Sequence, residues 1–224
     1  DLRQALSFTS ANSISIGRLF PQMVYYAHAW FEMGSPVDLL VTVPSGNFGN
    51  LTAGVMASRM GLPVAFLSAM NANDVVLEYL ESGTFTPRPS IATLSNAMDV
   101  GNPSNFARLL DLCDGDVDKM RKLLRAASVT DEDTRATIAS VFQKTGYMLD
   151  PHGAVGVTAA ERIRGERSAL VLETAHPAKF GDVVEQATGV ALQIPERLAA
   201  CLSRQKQSVP MSRDFQNFKQ YLMA

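Results

Sequence analysis

Residues Pro44-Ser45-Gly46-Asn47-Phe48-Gly49-Asn50 stand between an apolar run from Val37 to Val43 and a second from Leu51 to Met60. A loop of this composition between a strand and a helix suits a phosphate. Glycine lets consecutive N–H groups turn into one concavity, and the helix that follows adds the positive end of its dipole. No lysine follows the second glycine, and the spacing matches neither a Walker loop nor G-x-G-x-x-G, so the grip would come mainly from backbone. The same residues also read as a plain turn with Asn50 as a helix cap.

A second group able to do chemistry is Thr174-Ala175-His176-Pro177, directly after the apolar run Ser168 to Leu172. A threonine hydroxyl at a strand end can hydrogen-bond a heteroaromatic ring nitrogen without imposing a full charge, or it can cap the next helix. In Asp150-Pro151-His152-Gly153 an acid and an imidazole lie at a helix entrance, as an acid/base pair or as a cap. Arg18 and Arg108 can clamp a phosphate or carboxylate through two parallel hydrogen bonds, or stand in solvent. His28 falls within a helical pattern and reads as structural. No metal-ligand spacing and no Gly-x-Ser-x-Gly elbow occur.

The elements that position these groups follow from periodicity. Apolar residues recur three and four apart from Ile14 to Phe31, which predicts a helix buried on one face. A strand over 37–43, the loop, a helix to Met60 and a strand from Val64 to Leu67 make one βαβ unit with parallel strands. Asn71 to Asn73 can cap a helix ending at Ser82. The polar stretch Thr84 to Asn105 is too irregular for a single element, and loops of that length are usually functional or disordered. Pro103 suits the first position of a helix through Leu112. Helices are predicted over Val117 to Ala127, over Asp131 to Lys144 behind a Thr130 cap, and over Asp150 to Arg164, then a strand over Ser168 to Leu172. Short helices separated by Pro195 and Pro210 end the chain. The pattern is that of an α/β fold, a parallel sheet flanked by helices on both faces.

The 224 residues, 46% hydrophobic, are enough to bury a sizeable core. A net charge of −2 leaves no electrostatic footprint for nucleic acid or an anionic membrane, so the expected partner is a small molecule. Cys113 and Cys201, far apart, fit a reducing compartment and read as buried apolar residues. With neither a signal-peptide pattern nor a long apolar run, the expected location is the cytoplasm. The chain opens on Asp1 without a methionine, as a fragment, a processed product or a truncation would.

Five collinear segments resemble threonine synthase. They are Ser10-Ala11-Asn12-Ser13-Ile14 with Gly17-Arg18; Pro44 to Asn50; Ser95-Asn96-Ala97-Met98-Asp99-Val100-Gly101 with Pro103-Ser104-Asn105-Phe106; Asp150-Pro151-His152-Gly153-Ala154; and Thr174-Ala175-His176-Pro177-Ala178-Lys179-Phe180. The resemblance implies the large domain of the tryptophan-synthase-β-like, fold-type-II enzymes. It also implies pyridoxal 5'-phosphate as cofactor and conversion of O-phospho-L-homoserine and water to L-threonine and phosphate. By the same resemblance Gly46, Asn47, Phe48 and Asn50 contact the cofactor phosphate and Thr174 the pyridine nitrogen. Asn12, Ser13, Arg18, Asn96, Asp99, Arg108 and His152 are candidates for the substrate side.

The chain departs from the family at Ser15, where asparagine is usual. The Schiff-base lysine, which the family carries in a Phe-Lys-Asp-Phe-like context, is missing. None of Lys119, Lys122, Lys144, Lys179, Lys206 and Lys219 has that context. Residues 1–224 are therefore expected to be the C-terminal part of a longer enzyme, most of its cofactor-binding domain, inactive alone. A phospho-lyase releasing a 2-oxo acid and ammonia, and a non-catalytic phosphate-binding protein, are the alternatives.

Overall fold

A computed structural model of the chain describes residues 2–7, 12–13 and 15–224; Ser10, Ala11 and Ile14 of the first motif lie outside the described residues. The chain divides into two compact units, residues 12–193 and residues 1–11 with 194–224. In chain order the helices and strands are α1 (Leu2–Ala5), α2 (Leu19–Glu32), β1 (Leu39–Pro44), α3 (Gly49–Arg59), β2 (Val64–Met70), α4 (Val75–Ser82), α5 (Phe106–Leu112), α6 (Val117–Leu123), β3 (Leu124–Ser128), α7 (Asp131–Thr145), α8 (Pro151–Ile163), β4 (Ser168–Val171), α9 (Gly181–Thr188), α10 (Glu196–Leu202) and α11 (Phe215–Met223). The smaller unit holds α1, α10 and α11.

The larger unit is built on one parallel sheet of order β3-β2-β1-β4. Register is continuous across it: Leu39 faces Val64 and Ser168, and Leu67 faces Arg125. Alternation along β1 sends Leu39, Val41 and Val43 to a core shared with α2, α3, α4 and α5, and Leu40 to a second core shared with α8. A strand whose neighbours on both faces are helices must be apolar on both faces, which is why β1 reads as a continuous run. Because every strand runs the same way, the segments after Pro44, Met70, Ser128 and Val171 all emerge along one edge, the expected ligand edge of an open α/β sheet.

Most of the predicted elements are present, with three corrections. The segment 117–127 is not one helix: α6 stops at Leu123 and the chain continues directly as β3, an edge strand paired with β2. Leu124-Arg125-Ala126-Ala127 has the composition of a helix, and the exposed flank of β2 overrides that propensity. Pro103 does not open α5, which begins at Phe106 after a turn closed by the Phe106 N–H donating to the Pro103 carbonyl at 3.1 Å. Asn71 and Asn73 do not cap α4, whose N-cap is Asp74. Both are buried and bind the 84–105 segment instead. Cys113 is buried as expected, whereas Cys201 is exposed. Thr130 and Asp150 cap α7 and α8 as the sequence suggests, through side-chain acceptance from the Asp133 and His152 N–H groups.

The 84–105 segment is irregular but tightly held. Asp99 accepts from Asn71 Nδ2 (2.9 Å), Asn73 Nδ2 (3.2 Å), the Thr93 hydroxyl (2.7 Å) and the Thr93 N–H (3.0 Å). Asn71 Nδ2 also reaches the Ser95 hydroxyl at 3.0 Å. Arg88 pairs with Asp74 and Glu78 of the α4 region. A fully satisfied polar network of this kind fixes one conformation where no helix or sheet does.

Candidate functional site

The loop after β1 folds back tightly. Phe48 is buried and takes a left-handed conformation, φ 62°, rare for a residue with a Cβ and a form of local strain that clusters at binding sites. It is also the N-cap of α3 and makes no side-chain cap bond, so the first N–H groups of that helix stay available. The N–H groups of Gly46, Asn47 and Phe48 meet no acceptor among the described residues. Behind the loop, a Cβ on Gly46 would lie 2.6 Å from the Met98 Cα and 2.9 Å from the Ala97 carbonyl oxygen, so only glycine fits against this backbone.

Side chains from three distant segments hold the loop in place. Asn47 Nδ2 donates to the Ser13 hydroxyl at 2.8 Å, and Asn47 Oδ1 accepts from the Ser104 N–H at 2.7 Å. Asn105, fully buried, donates to the Asn47 carbonyl at 3.0 Å and to the Ser13 hydroxyl at 3.2 Å, and itself accepts from Arg108. Asn50 Oδ1 accepts from the Tyr26 hydroxyl at 2.9 Å, a phenol whose pKa burial raises well above its ordinary value. Of the sequence candidates, Ser13, Asn47, Asn50 and Arg108 are therefore brought together around the loop. Asn12, Arg18 and Asn96 are exposed, and Asp99 is engaged in the network that holds the 84–105 segment.

His152 joins the loop to the other end of the site. It is buried, its Nε2 accepts from the Ala97 N–H at 3.2 Å, and its Nδ1 faces Asp150 Oδ1 at 2.6 Å. An acceptor at Nε2 puts the ring proton on Nδ1, so both nitrogens are committed to holding the turn that backs Gly46. Burial pushes the Asp150 carboxyl up, but the hydrogen bonds from the His152 ring and amide outweigh it and hold the group below the usual carboxylate range. Asp150 therefore stabilises the fold fully above the ordinary carboxylate pKa of about 3.9, and the contribution is lost as pH falls through its lower folded value. Replacing His152 by alanine leaves this fully buried carboxylate without its imidazole and is expected to cost about 3 kcal/mol, measured as a lowered urea midpoint at neutral pH.

Thr174 follows the end of β4, with its hydroxyl unengaged among the described residues and exposed to a cavity of about 360 Å³ shared with Tyr25, Leu172 and Glu173. It is not a helix cap: His176 caps the next turn through Nδ1, which accepts from the Ala178 N–H at 3.1 Å. Asn105, Tyr147 and Glu173 belong to the site's framework and were not singled out from sequence. Asn105 and Ser104 lay within a matching motif, while nothing local marks Tyr147 or Glu173. Among the described residues there is no acidic or His/Cys cluster suited to a metal, and no helix long and apolar enough to cross a membrane.

A backbone nest after one strand of a parallel sheet and a free hydroxyl after its neighbour suit a phosphorylated heteroaromatic group laid across the strand ends, the arrangement of a cofactor-dependent α/β enzyme. The chain belongs to the pyridoxal-phosphate dependent enzymes, whose family pattern matches residues 14–174. Within that family its similarity is to threonine synthases. A pattern described as "Threonine synthase, C-terminal" matches residues 153–222. The threonine synthase of Haemophilus influenzae is 39% identical over 227 residues, covering 100% of this chain and 53% of that protein. The crystal structure of PLP-bound threonine synthase from Brucella melitensis superposes with a TM-score of 0.90 at 36% identity, over 98% of this chain and 53% of that one. The threonine synthase of Escherichia coli gives 0.89 at 40% identity, over 99% and 52%. The chain spans about half the length of the curated relatives it matches.

Proposed function

We propose that this chain is the cofactor-holding part of a threonine synthase, converting O-phospho-L-homoserine and water to L-threonine and phosphate in the cytoplasm. The observation that carries the reading is the 39% identity to a threonine synthase along the whole chain, together with a loop whose N–H groups meet no acceptor among the described residues and suit a phosphate. The amides of Gly46, Asn47, Phe48 and Asn50 bind the cofactor phosphate, aided by the N-terminus of α3. The Thr174 hydroxyl donates to the pyridine nitrogen, or accepts from it, without adding charge. Ser13, Ser104 and Asn105 orient Asn47, and His152 with Asp150 keeps the Ala97 turn pressed against Gly46. The bound cofactor supplies electron withdrawal, so that protons can leave the substrate at Cα and Cβ and phosphate can leave from Cγ.

The substrate's own phosphate and carboxylate call for cationic or amide donors. Asn12, Arg18, Asn96 and Arg108 are the candidates this chain offers, with Arg108 anchored through Asn105 beside the loop. The lysine that carries the cofactor and moves the protons belongs to the remainder of the enzyme. Product analysis on the full protein given O-phospho-L-homoserine and pyridoxal phosphate is expected to yield threonine and phosphate in equal amounts. A 2-oxo acid with ammonia, or no phosphate release, would refute the reading. The 224-residue chain by itself is expected to form no threonine.

A further inference from the structure

Helix α2 is apolar over more of its surface than this chain covers. Its fourteen residues include no lysine, arginine or aspartate, and Glu32 at the last position is the one formal charge. The apolar stripe Phe20, Met23, Val24 and Ala27 continues to Phe31. Leu19 and Tyr26 lie in the core, whereas Phe20 is 53% exposed, Val24 62% and Phe31 65%. A helix that meets water along one side carries charged residues there, and a helix apolar on both sides belongs inside a protein. The burial that the periodicity of α2 predicts is thus met only in part by these 224 residues.

The stripe forms one wall of a groove of about 620 Å³, and the end of α3 with the turn after it, Met60 to Pro63, forms the other. No charged side chain lines it. Ala27 and Ala57 give it depth, being too small to fill the space between the two helices. The hollow is rigidly built. Trp30 and Leu62 pack against the core, Trp30 Nε1 donates to the Pro36 carbonyl at 2.9 Å, and the Phe31 ring stands edge-on to Trp30 with centroids 5.0 Å apart. Contiguous apolar surface of this kind facing water marks a place that another part of a protein fills.

We propose that the N-terminal half of the whole enzyme docks here, laying large apolar side chains along the groove between α2 and α3. The chain spans about half the length of the threonine synthases it matches, and the pattern over residues 153–222 is their C-terminal one, so a comparable length of polypeptide has to pack on this half. The groove also opens at the ligand edge. Leu19, beside Phe20, reaches the start of α3, where a Cβ on Gly49 would meet its Cδ2 at 3.6 Å, and Tyr25 of the same helix lines the cavity that holds Thr174. A segment seated along α2 therefore leads to the place where the cofactor and its lysine meet. A second copy related by a two-fold axis would set hollow against hollow, with no ridge to fill either. The choice of occupant rests on the threonine synthase reading above; the need to cover the groove does not.

The test uses the full protein with the photo-cross-linker p-benzoylphenylalanine placed at Phe20, where it extends the native ring. After irradiation and digestion, the linked peptide is expected to come from the N-terminal half of the same molecule. Mixing isotope-labelled with unlabelled copies separates links within one molecule from links between two. A link to a second copy, a link to another part of these 224 residues, or no link at all would overturn the proposal. Val24→Asp, which puts a charge into the groove, is expected to raise the unfolding equilibrium constant of the full protein at least about a hundredfold, read as a lowered urea midpoint. An unchanged midpoint, the result for a side chain that stays in water, would overturn it too. Threonine formation by the unmodified protein is scored separately. A link to the N-terminal half without threonine supports the docking and refutes the threonine synthase reading, and threonine with the link elsewhere does the reverse.

Discussion

Gly46→Ala is expected to weaken pyridoxal phosphate binding by the full protein at least about a hundredfold, a loss near 3 kcal/mol. The added Cβ would stand 2.6 Å from the Met98 Cα and 2.9 Å from the Ala97 carbonyl oxygen. Both contacts are backbone, so no side-chain rotation relieves them. Nor can the 96–98 turn retreat freely, because the Ala97 N–H is bonded to His152 and Asp99 is held by Asn71, Asn73 and Thr93. The loop itself must shift, and several N–H groups that share one phosphate then lose their aim together. Each hydrogen bond to a charged group is worth about 1.5–3 kcal/mol, so two misaimed donors suffice. Absorbance titration with the cofactor checks the effect, with circular dichroism confirming that the variant is folded. Unchanged affinity would remove the loop from the cofactor site.

Gly101→Ala is expected to destabilise the larger unit by about 3 kcal/mol or more, the upper range for overpacking a site that cannot yield. Its Cβ would be 1.9 Å from the Arg88 carbonyl oxygen and 2.9 Å from the carbonyl carbon. Gly101 is the clasp of the 84–105 segment: its carbonyl accepts from the Arg88 N–H at 3.0 Å and its N–H donates to the Ser90 hydroxyl at 3.1 Å. Opening that clasp separates the two arms of the segment and displaces Ser104 and Asn105, which hold Asn47. The variant should therefore lose cofactor affinity along with stability and become cleavable between residues 84 and 101. Urea denaturation and limited proteolysis measure both. A midpoint equal to wild type would show that the clasp is not needed.

These two glycines also mark where sequence reading stops. Gly46 was legible as a loop glycine because a strand-like and a helix-like run flank it. The backbone it must avoid, Ala97 and Met98, lies some fifty residues away and leaves no local trace. Gly101 stood in a stretch that offered no periodicity at all. Asn71 and Asn73 looked like helix caps because short polar side chains before an apolar run usually are. Their true partners, Thr93, Ser95, Ile91 and Asp99, come from the folded-back segment. Leu124 to Ser128 failed for a related reason: strand pairing is a property of the neighbour, and an alanine-rich run carries no strand signal until Phe66 to Met70 lies beside it.

The sequence by itself determined the parallel α/β layering, the placing of the glycine loop between β1 and α3, the caps at Thr130 and Asp150, and the position of Thr174 directly after the last strand. All of these depend on residues within one or two turns of each other, where propensity, capping and apolar periodicity act. The tertiary structure alone decided that Ser13, Ser104 and Asn105 converge on Asn47, that His152 braces the turn behind Gly46, and that Glu173 accepts from the Asp150 N–H. Those contacts join residues 23 to 58 positions apart, and burial and the need to satisfy every enclosed polar group, rather than any local preference, select them.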